Sequence, residues 1–205
     1  MTVALIILAG GVFGSEFSWG NGAHPLMAGI SRDRFYASKV ITLLGIAAVV
    51  TAAAAILSLL ASLAVGVVVD QSFYTDRLTG SFMADALLMT IRAFIGIGLW
   101  VLIASAIALT THSLAAGVGV TLGLYFGGDI VLTLLGATGD IGRWVTRLFP
   151  NEAINALLEL NSADPPSYGA GDYAWIITNL VFYTVAAIVI AVIRFRRMDI
   201  IAASG

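Results

Sequence analysis

Two ionisable side chains, Arg92 and Asp129, lie inside long apolar stretches, and His24 and His112 are the only imidazoles in the 205 residues. A charge in hydrocarbon costs at least a few kcal/mol unless it is paired or hydrated. Arg92 and Asp129 are therefore expected to meet as an intramembrane ion pair between antiparallel neighbours. A packing clamp is the plainer role for such a pair, and a place on a translocation pathway is the alternative. Gly127 and Gly128 beside Asp129, and Gly96 and Gly98 beyond Arg92, permit close helix approach. The histidines are far apart and neither belongs to a His-Glu-x-x-His pattern, which disfavours a membrane metalloprotease or a haem held by paired axial histidines. His112 is expected to be a solvated loop residue. With no cysteine, disulfides, thiolate metal sites and a Cys nucleophile are excluded, and no nucleophile elbow surrounds a serine. No Gly-x-x-x-x-Gly-Lys-Ser/Thr phosphate cradle occurs, so the chain is not itself an ATPase. No catalytic residue, metal ligand set or resident cofactor is expected, and an intramembrane enzyme is disfavoured.

The elements that carry these residues follow from composition. Hydrophobic residues make up 60% of the chain and charged residues 11%, against about a quarter charged in soluble domains. A net charge of −2 without a basic stripe argues against a nucleic-acid partner. A bilayer span needs about 20 mainly apolar residues. Residues 40–69, 86–109, 114–135 and 174–193 meet that requirement, and residues 1–14 form a partial span. No basic region precedes residues 1–14, which disfavours a cleaved signal peptide. The chain is expected to begin inside a helix or at an internal methionine of a longer frame. The fold class is all-α, a single polytopic membrane domain over 1–205 with five visible spans.

Short loops rich in Lys and Arg stay on the cytoplasmic side. Arg32, Arg34 and Lys39 precede the second span, and Arg194, Arg196 and Arg197 follow the last, so both segments and the C-terminus are expected in the cytoplasm. The opposite loops are acidic or mixed, with Asp70, Asp76, Arg77, Asp140, Asp164 and Asp172. Within the long outer segment, Ile141, Trp144, Val145 and Leu148 share one helix face; Phe149-Pro150 breaks it, and Ala153, Ile154, Leu157 and Leu158 resume the pattern. Two amphipathic helices over 141–160 are predicted, with Asn151 as the N-cap of the second and both lying at or dipping into the outer interface. Trp100, Trp144, Trp175 and Tyr173 are expected to mark interfaces.

Between the first two spans, residues 21–35 place Leu26, Met27 and Ile30 on one face of a short helix opened by Pro25. Periodicity alone fits a docking knob and a lipid-anchored interfacial helix equally. The order Glu16, Trp19-Gly20, Leu26, Gly29-Ile30-Ser31-Arg32, Phe35 and Lys39 ahead of a long apolar helix resembles the stretch after the second transmembrane helix of type-2 ABC export permeases. The likeness continues through a helical hairpin with a short cytoplasmic turn, a broken outer helix pair and a last helix with a basic tail, and so covers nearly the whole chain. It implies a bacterial or archaeal plasma (inner) membrane permease of six helices, the first missing here, with an outer re-entrant helix pair. It further implies a second permease copy or paralogue, and cytoplasmic ATP-binding subunits that hold ATP and Mg and dock on residues 21–32 as a coupling helix. Carried onto this sequence, the docking residues are Leu26, Met27, Ile30, Arg32 and Arg34, with Glu16 at the base of the preceding helix. His24-Pro25 departs from the family pattern. The alternative reading is a non-transporting structural or anchoring membrane subunit.

Overall fold

The computed structural model describes residues 1–18, 31–68, 80–162 and 164–197. Their order is α1 (Thr2–Ser18), α2 (Arg32–Val68), α3 (Gly80–Thr111), α4 (Leu114–Gly136), α5 (Asp140–Thr146), α6 (Pro150–Glu159) and α7 (Ala170–Arg197), with no strand among the described residues. α2, α3, α4 and α7 are long and apolar enough to cross a membrane. α1, at 17 residues, is about 25 Å long. The partial span, the four full spans and the two outer helices of the sequence reading all have helical counterparts. α2 starts earlier than expected: residues 32–35, assigned to the connecting segment, are its first turn. Arg34 is exposed there. The docking segment 21–30, with Leu26, Met27 and Ile30, lies outside the described residues, as do the side chains of Glu16 and Arg32.

α3 is the hub. It packs against α1, α2, α4 and α7, and its half from Gly96 to Leu109 is almost wholly buried. Trp100, expected at an interface, is instead 2% exposed and meets the Tyr125 ring edge-on at 5.4 Å. α2 is the opposite case. Ile41, Val49, Ile56 and Leu57 are each more than half exposed, and so much bare apolar surface is stable only where lipid replaces water. The α3–α4 turn is set locally: His112 takes a φ of 52°, and the Ser113 hydroxyl caps α4 by accepting from the Ala116 N–H at 3.2 Å. Beyond the turn α4 comes close to α3, since a Cβ at Gly117 would stand 2.6 Å from the Ala108 Cβ.

One end of the bundle is basic and bound by aromatic rings. The Phe35 and Phe195 rings stack at 5.9 Å, Tyr36 touches both Phe13 and Phe195, and the Lys39 ammonium stands 4.7 Å from the Phe35 ring centre. Arg196 clamps Asp33 with two donors, its Nε at 2.8 Å from Oδ1. Three helix ends, from α1, α2 and α7, are thereby joined. α5 and α6 lie toward the other end.

Candidate functional site

α5 and α6 are short, and a short amphipathic helix gains its stability from the surface it covers. Their junction is seated between α4 and α7. Pro150 opens α6 as a first-turn proline, and Phe149 occupies the cap position without a side-chain cap bond. The sequence reading placed Asn151 at that cap. In the structure Asn151 is one residue inside the helix, 5% exposed, and turned across to α4. Its Nδ2 donates to the Tyr125 carbonyl at 3.2 Å, the Leu124 carbonyl at 3.3 Å and Asp129 Oδ1 at 3.4 Å. Gly128 makes the approach possible, because a Cβ there would lie 2.5 Å from Asn151 Nδ2.

The carbonyls freed where α5 ends are met from the other side. Trp175 Nε1 and Asn179 Nδ2 donate to the Arg147 carbonyl at 3.0 and 2.9 Å, and the Tyr183 hydroxyl donates to the Leu148 carbonyl. These three donors follow one another at i, i+4 and i+8 on one face of α7. Orphan carbonyls at a helix end need partners wherever water is excluded, and this ladder supplies them. Leu124 stands twelve residues inside the α4 terminus at Gly136, about 18 Å along its axis. The break between α5 and α6 thus lies beside the middle of α4.

Arg92 and Asp129 do not pair with one another. Arg92 Nη1 donates to the Leu160 carbonyl at 3.0 Å and to Asn161 Oδ1 at 3.1 Å, while Asp129 Oδ1 accepts from Asn151 and from Asn155 Nδ2 at 3.2 Å. The reason is α6 itself, which runs between α3 and α4 and takes the guanidinium at its C-terminal end and the carboxylate beside its first turns. A helix presents partial negative charge at its C-terminus and partial positive charge at its N-terminus, each worth about 0.3–1 kcal/mol to an opposite charge. The two charges therefore serve as terminal partners of an inserted helix. Asn161 completes the Arg92 end by donating to the Met89 carbonyl at 3.4 Å.

Asp129 lines two cavities. One, of about 360 Å³, is walled by Gly96 and Trp100 of α3, Tyr125 and Phe126 of α4, and Asn151 and Asn155 of α6. The other, of about 350 Å³, lies toward Gly136 with Thr133, Thr146, Glu152 and Asn155. Nearby, Arg147 sits 5.4 Å from the Trp175 ring centre and 5.7 Å from that of Trp144, and reaches Asp172 at 3.6 Å. Burial, then the neighbouring Glu159, pushes the Glu152 carboxyl above the usual carboxylate range, with Arg147 acting in the opposite sense. The Tyr168 hydroxyl, which donates to Glu159 Oε2 at 2.8 Å, is pushed up to about 12 by burial and by that carboxylate. No group of three or more potential metal ligands converges among the described residues.

Arg92, Asp129, Asn151 and the break at Pro150 are legible in the sequence, whereas the bonds of Asn151 to α4, the parts played by Asn155 and Asn161, and the donor role of Trp175, Asn179 and Tyr183 are not. A weaker signal for these was present. Trp175, Asn179 and Tyr183 recur at i, i+4 and i+8 on one face of a largely apolar helix, and Asn151 and Asn155 repeat at i, i+4 beside the apolar face of α6.

The chain belongs to the family described as protein of unknown function DUF2705, whose model matches residues 1–201. No curated protein and no solved structure matches it.

Proposed function

We propose that this DUF2705 chain is the membrane-spanning permease subunit of an ATP-binding-cassette exporter, lining a translocation pathway and driven by separate ATPase subunits. The observation that carries the reading is the seating of the broken α5–α6 pair, held by Asn151 on α4 and by Trp175, Asn179 and Tyr183 on α7. Irregular backbone at membrane depth survives only where protein or enclosed water satisfies it, and in this reading these bonds serve that purpose for a pair that enters and leaves on the same side. Such a re-entrant pair before a last helix with a basic tail is what the likeness to type-2 export permeases implies. In this reading the aromatic and basic end faces the cytoplasm, following the placement of Arg34, Lys39, Arg194 and Arg196. The segment 21–30 joins α1 to α2 in sequence, so in this reading docking force on it passes into both helices. The Asp33–Arg196 clamp and the Phe35–Phe195 stack extend that connection to α7. ATP and Mg belong to the partner subunits.

Purification of the tagged full chain from its own membrane in mild detergent tests the reading. The expected result is a co-purifying subunit carrying a Gly-x-x-x-x-Gly-Lys-Ser/Thr cradle, lost on Ile30→Asp. A stable complex containing no nucleotide-binding protein supports the structural or anchoring subunit instead.

A further inference from the structure

We infer that the cavity between α3, α4 and α6 is a binding site for a small organic cation with an apolar body, its ammonium or guanidinium head held by Asp129 and its body by Trp100, Tyr125 and Phe126. The inference names a ligand class for the site described above and so extends the exporter reading, in which this ligand is the cargo. Binding itself requires no ATPase, so the two ideas fail separately.

Charge comes first. Asp129 sits within a helix long and apolar enough to cross a membrane, and among the described residues its side chain meets two neutral carboxamides and no cation. Two amides and the start of a helix solvate a carboxylate without neutralising it. The cation expected to balance it, Arg92, is committed to Leu160 and Asn161 at the far end of α6. Both amides reach Oδ1, which leaves Oδ2 with no donor among the described residues. A carboxylate with one oxygen open, at an exposed position on a helix apolar enough to cross a membrane, favours a cationic partner over a neutral one.

Shape and wall chemistry then narrow the partner. The cavity of about 360 Å³ falls in the range of small-molecule sites, roughly 300–1,000 Å³. Tyr125 and Phe126 lie one helical turn before Asp129, on the side of α4 that faces the cavity, and Trp100 closes the α3 wall. Their rings are fixed relative to one another, Trp100 to Tyr125 at 5.4 Å and Tyr125 to Phe126 at 4.9 Å, both edge-on. Phe126, 58% exposed, gives most of the aromatic surface beside the carboxylate, with Tyr125 and the buried Trp100 backing it, and rings beside a carboxylate hold an organic cation through ring quadrupole and charge together. A metal ion would want several oxygen ligands, and the cavity offers one carboxylate and two amides. Gly96 on α3 keeps the opposite wall low, where a Cβ would crowd Ile154 Cγ2 at 3.1 Å.

The experiment is equilibrium binding of tritiated benzyltrimethylammonium to the full chain in lipid nanodiscs at pH 7. Saturable binding is expected, weakened at least about tenfold by Asp129→Asn and by Trp100→Leu, largely kept by Asp129→Glu, and not displaced by neopentylbenzene, the uncharged isostere of the probe. Absence of saturable binding overturns the inference, as does Asp129→Asn binding within about twofold of the parent. Displacement by neopentylbenzene as effective as by unlabelled probe also overturns it, and that arm uses the parent protein alone should a variant fail to fold.

Discussion

Asn151 occupies the space that a side chain at position 128 would fill, so that Gly128 and Asn151 form one lock between α4 and α6. A Cβ at residue 128 would lie between 2.5 and 2.7 Å from three Asn151 side-chain atoms. Gly128→Ala is therefore expected to expel the carboxamide and lower stability by about 1–3 kcal/mol, as overpacking does. The neighbouring Gly127, where an added Cβ meets nothing within 4 Å, is the control. Thermal unfolding in detergent should show a clear loss for Gly128→Ala and none for Gly127→Ala.

The ladder on α7 makes a graded expectation. Tyr183 serves the Leu148 carbonyl, so Tyr183→Phe leaves that acceptor unmet and should cost about 1–3 kcal/mol. The Arg147 carbonyl has two donors. Trp175→Phe or Asn179→Leu alone should cost less, because the other donor remains. The double variant should exceed the sum of the singles, a coupling that a double-mutant cycle of melting curves measures directly.

Glu152 gives the fold a pH dependence of defined sign. Its carboxyl is raised above its unfolded value by burial and by Glu159, so its favourable contribution is present below the unfolded pKa and lost as pH rises through the folded one. At pH 7 its charge opposes folding. Glu152→Gln is expected to raise the melting temperature at pH 7 and to have progressively less effect as pH falls toward about 3, below the carboxyl's unfolded value. A variant that destabilises at pH 7 would contradict this assignment.

Orientation is accessible because the chain contains no cysteine. Single cysteines in place of Arg34 and Tyr168 should react with a membrane-impermeant maleimide from opposite faces, Tyr168→Cys in intact cells and Arg34→Cys only after the membrane is opened. Labelling of both from outside would overturn the topology.

Much of the architecture was readable in the residues, and what escaped did so for identifiable reasons. Apolar runs locate helices because a bilayer fixes their length, and Phe149-Pro150 locates the break because proline cannot continue a preceding helix. The start of α2 was placed late because Arg32–Phe35 is polar enough to read as loop. Asn151 has the local character of an N-cap, and nothing in its neighbourhood reports that Gly128, 23 residues earlier, opens a berth for it. The cost of a lone charge in hydrocarbon predicts the Arg92–Asp129 pair, but that cost says nothing of a third helix entering between α3 and α4. Trp100 was read as interfacial from its type, whereas its place on the buried face of α3 makes it core. Periodicity names the face of a helix; the partner of that face is a tertiary fact.

If the chain is an exporter permease, an ATPase subunit docks on the segment between α1 and α2. A photo-cross-linking residue at Met27, activated in native membranes and followed by mass spectrometry of the adduct, addresses it at the point of contact. An adduct with a protein bearing a phosphate cradle, abolished by Ile30→Asp, is the expected result. Adducts confined to lipid, or to proteins without a nucleotide-binding site, would contradict it.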